Sequence, residues 1–119
     1  MKVQCLRLSG PTDSSRLERS SWITLDAVYP VISIMAEPGG RVQLQIVADD
    51  GRSLAWFDSD TFMTVDSVIP ERWVIRVAES GVVDLAPAAW LEPGFWEQYY
   101  DGDATAEQTV AYELHQMGI

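Results

Sequence analysis

The sequence is poor in the residues from which most catalytic and metal sites are built. Among its 119 residues there is one cysteine, Cys5, and one histidine, His115. A lone cysteine makes no internal disulfide, and within KVQCLRL it reads as a small buried side chain. One cysteine and one histidine do not make a zinc site, and their positions at opposite ends of the chain argue against a nucleophile–base pair. Asp58-x-Asp60 and Asp101-x-Asp103 lack the remaining ligands and the glycine of a calcium loop, and read as turn and cap residues. Neither G-x-x-x-x-G-K-[ST] nor G-x-G-x-x-G occurs, so no phosphate cradle is indicated. No apolar run approaches the ~20 residues of a membrane span. The opening MKVQCLRLSG alternates polar and apolar residues like a strand, not like a signal peptide. These shortages lead us to expect a cytoplasmic protein that is not an enzyme and carries no metal or cofactor. A pocket joining Cys5, His115 and a carboxylate would reopen the enzymatic reading.

Basic residues are the other shortage. All eight lysines and arginines lie between Lys2 and Arg76. Residues 1–78 set ten acids against those eight, a balance of −2, and residues 79–119 hold eight acids and neither lysine nor arginine, a balance of −8, which together make the net charge of −10. That sign argues against direct contact with nucleic acid, whose phosphates need cationic partners. It favours a basic protein partner, whose encounter it would accelerate. Solubility is the plainer meaning of the same charge.

What is present suits one soluble domain: hydrophobic residues make up 47% and charged residues 22% of a chain long enough to bury a core. The clearest element is a hairpin over 41–58, RVQLQIVADDGRSLAWFD. Val42, Leu44, Ile46 and Ala48 alternate with Arg41, Gln43 and Gln45, and Asp50-Gly51 supplies a type I′ turn. The resulting register sets Ala48 opposite Ser53, Ile46 opposite Ala55 and Leu44 opposite Phe57, with Phe57 directed into the core. Val47, Leu54 and Trp56 then share the other face and need a cover of their own.

Further strands are expected at residues 2–8, 22–25, 28–35, 61–65, 73–78 and 82–85, with a serine-rich loop over 12–21 and Pro30 marking an edge or bulge. Short strands at this spacing indicate a small barrel or sandwich. After Leu85 the character changes. Pro87 and Pro93-Gly94 punctuate a stretch dense in Trp90, Phe95, Trp96, Tyr99 and Tyr100, with one or two helical turns expected over 95–100. Residues 104–117 carry a helical stripe of Val110, Leu114 and Met117 with Ala106 and Ala111 alongside. Asp103 suits the N-cap, Thr105 with Gln108 offers an alternative capping box, and Gly118 suits the stop. The Val47–Leu54–Trp56 patch is a seat for this helix. Trp90 and Trp96 either bury the junction between barrel and helix or, beside Glu92, Glu97, Asp101 and Asp103, form an aromatic surface able to grip arginines.

One stretch resembles a known pattern. Ile23-Thr24-Leu25-Asp26-Ala27-Val28-Tyr29-Pro30-Val31 is similar to the L-T-x-G-K-x-Y-P-V opening of small SH3-like barrel proteins of bacteria and phages. Asp49-Asp50-Gly51, Phe57-Asp58 and Phe62-x-x-Val65 continue the likeness over roughly 22–103, with Asp26 standing where the pattern has glycine. Members with a tryptophan-rich acidic tail resemble immunity proteins of polymorphic and contact-dependent toxin systems. The resemblance implies a mainly β (α+β) domain: a small antiparallel SH3-like barrel over 1–86, with an aromatic acidic extension and terminal α-helix over 87–119 packed on it. It also implies a cytoplasmic inhibitor that binds one basic toxin domain, such as a nuclease, without touching nucleic acid or membrane. The contacts expected are Glu92, Trp96, Glu97, Tyr100, Asp101 and Asp103, with Asp49, Asp50, Asp58 and Asp60 as a second patch at the hairpin ends. The alternative is a phage or plasmid accessory protein acting as an acidic nucleic-acid mimic or adaptor.

Overall fold

The computed structural model describes residues 1–9 and 20–119. Most of the loop expected over 12–21 therefore lies outside the described residues. Seven strands form one mostly antiparallel arrangement: β1 (Lys2–Cys5), β2 (Val28–Ala36), β3 (Val42–Val47), β4 (Leu54–Asp58), β5 (Phe62–Asp66), β6 (Trp73–Val77) and β7 (Val83–Pro87). Two helices follow, α1 (Phe95–Tyr100) and α2 (Ala104–Gln116).

β2 organises the sheet. Its first residues pair with β1, its last with β7, and β3 runs along its other edge. The strand order β4-β3-β2-β1-β5 is joined by a second wing, β6-β7, attached to the far half of β2. No ladder among the described residues joins β4, β5 or β6 to one another, so the sheet is open and does not close into the expected barrel. Pro30 sits where its missing N–H matters least. Val31 N–H bonds to Met1 and Cys5 N–H to Ala27, which makes Lys2↔Pro30 a pair without ladder bonds.

The hairpin has the expected register: Leu44↔Phe57, Ile46↔Ala55 and a bond from Ala48 N–H to Ser53. Its turn differs. Only Gly51 has positive φ, at 74°, and its N–H bonds to Ala48, so a turn centred on Asp49-Asp50 replaces the two-residue type I′ loop. The Asp50 carboxylate stabilises this wider loop by accepting from Arg52 N–H, Ser53 N–H and Ser53 Oγ at 2.8, 2.8 and 2.5 Å. Residues 22–25 are not a strand either. A 3-10 turn over Ser20–Trp22 leads into a tight turn in which Ala27 N–H bonds to Thr24, and Asp26 adopts φ 67°, alone among non-glycine residues described. Trp22 is thereby left exposed instead of entering a strand core.

Two apolar clusters lie on opposite faces of the sheet. The inner one gathers Val3, Cys5, Tyr29, Val31, Leu44, Ile46, Phe57, Phe62 and Trp73. The other, beneath the helices, gathers Ile32, Ala86, Trp90, Phe95, Ala106 and Val110, with Val47, Leu54, Leu114 and Met117 at its margin. A bulge in β2 between Val31 and Ser33 makes this possible: Val31 and Ile34 face inward, so Ile32 turns to the helix side. Val47 and Leu54 do seat the helical layer, whereas Trp56 stays outside that cluster. Burying such areas at ~25 cal/mol per Å² is what holds the helical layer to the sheet.

α2 begins as expected, with Ala106 N–H bonding to the Asp103 carboxylate at 2.9 Å, and ends at Gly118 with φ 83°. Its buried stripe is Ala106, Val110 and Glu113, and Ala111 is exposed. The buried carboxylate of Glu113 (4% exposed) accepts two bonds from Arg72, Nε at 2.8 Å and Nη2 at 2.7 Å, while the guanidinium lies 5.3 Å from the Tyr112 ring centre. This fork ties the β5–β6 loop to the last turns of α2.

Candidate protein-binding surface

The extension after β7 is built around α1. A 3-10 turn over Ala88–Leu91 carries Trp90 into the helix-side cluster, where it is 2% exposed. Gly94, at φ 78°, then turns the chain so that Phe95 also enters this cluster. With Trp90 and Phe95 as anchors, Trp96 becomes the hub of an aromatic group. Its ring centre lies 5.4 Å from Trp90, 5.2 Å from Phe95, 5.4 Å from Tyr99 and 6.1 Å from Tyr100. The pairs with Trp90 and Tyr99 are edge-on, the geometry that aligns ring quadrupoles favourably. Trp90 thus fills the junction, and Trp96 is half-buried and reaches the surface.

The acids of the extension surround this group. Glu92, Glu97 and Asp101 are exposed, and their side chains form no hydrogen bond or ion pair among the described residues. Tyr100 is also exposed. A shallow groove of about 400 Å³ runs between Arg76, Trp90, Glu92, Trp96 and Glu97. Three acids after residue 78 are engaged internally: Asp84 pairs with Arg76 at 3.1 Å, Glu113 with Arg72, and Asp103 caps α2. Among the described residues the unengaged charge after residue 78 is therefore smaller than −8, and three of its carboxylates, Glu92, Glu97 and Asp101, lie on or beside α1. Tyr99 is held closer in: burial first, then the neighbouring Glu107, raises its phenol above the ordinary value.

The hairpin acids do not form one patch. Asp49 and Asp50 stand at the β3–β4 turn and Asp58 and Asp60 at the other end of β4, about 17 Å away for five extended residues. Most are engaged structurally. Asp49 accepts from Tyr29 Oη at 2.6 Å and Thr24 Oγ1 at 2.7 Å, and Asp58 accepts from Arg41 Nε at 2.9 Å. Burial, and next the bond to Asp49, pushes the Tyr29 phenol upward. Asp60 is exposed in the 3-10 turn Ser59–Thr61.

A larger cleft of about 780 Å³ lies elsewhere, between Lys2, Pro30, Ile69, Arg72 and Met117. It contains none of the candidate contact residues expected from sequence. Its charged lining is mixed, Lys2 and Arg72 against Asp66 and Glu71. Cys5 is fully buried, its Sγ 3.5 Å from the Arg7 carbonyl oxygen, and burial chiefly raises its thiol above the ordinary value, whereas His115 is exposed on α2. Among the described residues no three His, Cys, Asp or Glu side chains gather as metal ligands would, and no helix is long and apolar enough to cross a membrane.

Sequence reasoning missed Arg76 as a wall of the groove. Its guanidinium donates to the Leu91 carbonyl as well as to Asp84, fixing the chain just before Glu92. Nothing in the pattern of β6 signals that contact, because it joins residues of two different elements. Comparison with known protein families, curated proteins and solved structures finds no match.

Proposed function

We propose that this chain is an immunity protein, an antitoxin that binds one basic toxin domain, such as a nuclease, and blocks it stoichiometrically. The observation that carries this reading is the α1 surface, where the carboxylates of Glu92, Glu97 and Asp101, unengaged among the described residues, flank the half-buried Trp96 and the exposed Tyr100. Arginine is the side chain best suited to it, since a guanidinium stacks on an aromatic face while its N–H groups meet carboxylates. Acids that become desolvated on binding would supply affinity, and those left at the rim would supply encounter rate. Within this reading the sheet is an SH3-like barrel left open, supported by a nine-residue β2 that serves two ladders on one edge.

The test is co-expression and co-purification with the product of the adjacent open reading frame, scoring rescue of growth. Glu97→Lys with Asp101→Lys should weaken the complex about 100-fold, as two couplings of ~1.5 kcal/mol imply, and should flatten its salt dependence. Unchanged affinity and salt slope in that variant would refute the placement. An adjacent product that is acidic, or that never co-purifies, would refute the reading itself.

A further inference from the structure

One donor in the extension has nothing to bond. Four buried side-chain atoms lack a hydrogen-bond partner among the described residues: Gln45 Nε2, Thr61 Oγ1, Trp73 Nε1 and Trp90 Nε1. Of these residues only Trp90 lines the α1 groove, and none lines the larger cleft. Trp90 is 2% exposed, and a buried indole N–H without an acceptor is costly, which is why buried tryptophans ordinarily have that group bonded. The side chains that share its cluster, Ile32, Ala86, Phe95, Ala106 and Val110, are hydrocarbon and offer no acceptor. The groove is the side from which an acceptor can come.

The rest of the groove selects what carries that acceptor. Glu92 and Glu97 line it, exposed and without a partner among the described residues, and Trp96 adds a half-buried ring. Arg76, the one cation of the lining, is already committed to Asp84 and the Leu91 carbonyl, so both glutamates are left to an incoming cation. The ring centres of Trp90 and Trp96 lie 5.4 Å apart. An extended arginine side chain spans roughly 6 Å from Cα to its guanidinium carbon. A single arginine residue can therefore set its main-chain carbonyl at Trp90 and its guanidinium against Trp96. Lysine matches the charge and the span but has neither the plane that stacks on a ring nor the fork that meets a carboxylate.

We propose that the α1 groove is a pocket for one arginine residue of the partner, in which Trp90 Nε1 donates to that residue's main-chain carbonyl. This deepens the reading of α1 as the surface for a basic partner and rests on it. Trp90 is then a specificity residue as well as the filler of the junction. Because Nε1 is shielded in the free protein, a small outward shift of the groove lining accompanies the bond.

Nuclear magnetic resonance titration of the full chain with the blocked tripeptide acetyl-Gly-Arg-Gly-amide tests this without the natural partner. The Trp90 indole N–H resonance should move downfield and saturate as it gains an acceptor, with the Trp96 resonance moving alongside. The lysine counterpart, acetyl-Gly-Lys-Gly-amide, should bind at least about fivefold more weakly. Butylguanidinium, which keeps the cation and lacks the carbonyl, should shift Trp96 and leave Trp90 in place. Trp90→Phe keeps a ring in the cluster and removes the donor, and should weaken the arginine tripeptide about fivefold, to the level of butylguanidinium. If that variant does not fold, the comparison with butylguanidinium in the parent protein decides. A Trp90 resonance that ignores the arginine tripeptide or follows butylguanidinium equally, or equal affinity for the lysine tripeptide, would overturn the proposal. Such a failure, with the adjacent gene product still bound and weakened by Glu97→Lys with Asp101→Lys, would remove the pocket and leave the α1 reading standing. Tripeptide binding as expected, with no capture of the adjacent product, would remove the immunity reading and leave the pocket.

Discussion

Ser33 and Gln45 offer a sharp test of how this sheet is packed. They sit opposite each other on β2 and β3, 3% and 1% exposed, with Ser33 Oγ donating to Gln45 Oε1 at 2.6 Å. Gln45 Nε2 has no partner among the described residues. Ser33→Ala removes the one bond the amide makes and leaves both ends of a buried amide unmet, which should destabilise the fold by about 1–3 kcal/mol. Gln45→Leu also breaks the bond, but it removes the unpaired Nε2, and those two effects nearly cancel. The double variant Ser33→Ala/Gln45→Leu leaves an apolar pair and should be at least as stable as the parent. The two substitutions are therefore strongly non-additive, with a coupling of about 1–3 kcal/mol. Urea unfolding reads this directly, as midpoint shifts at constant m. Additive single effects, or a double variant less stable than Ser33→Ala, would refute the account of this buried pair.

Asp26→Gly should stabilise the protein by about 0.5–1 kcal/mol, because a left-handed backbone strains a side chain by ~1–2 kcal/mol and glycine returns part of that as unfolded-state entropy. Thermal melts check it, and a lower melting temperature would contradict it. Asp50 is held at about 2, first by the Ser53 hydroxyl and then by the Ser53 and Arg52 amides. A lowered folded-state pKa gives stability that is full above the ordinary value of 3.8 and is lost as pH falls through about 2. Melting temperatures of Asp50→Asn should accordingly fall less steeply than the parent's across that window, and parallel curves would contradict the assignment. Phe95→Ala should cost about 3 kcal/mol by emptying an anchor of the helix-side cluster. It should also reduce the near-ultraviolet signal of the Trp96 group, and an unaltered signal would show that α1 is held by other contacts.

The hairpin was legible because alternation and register carry redundant information: Leu44, Ile46 and Phe57 can share a face only one way. Its turn was not, because Asp50 uses its carboxylate to close a wider loop, a choice invisible in a D-G signal that suits both. Gln45 shows the limit of period-two reasoning. It occupies the polar phase of β3, yet the helical layer covers that face and buries it. The α2 stripe was misread at two positions, Ala111, which is exposed, and Glu113, which is buried. Glu113 is acceptable in the core only because Arg72, 41 residues away, reaches it. The residues around α1 were legible as a group, being contiguous in sequence, whereas the hairpin acids were separated by the strand between them. β6 read as a strand, but the openness of its edge depends on which strands fail to meet, and that is a property of topology alone.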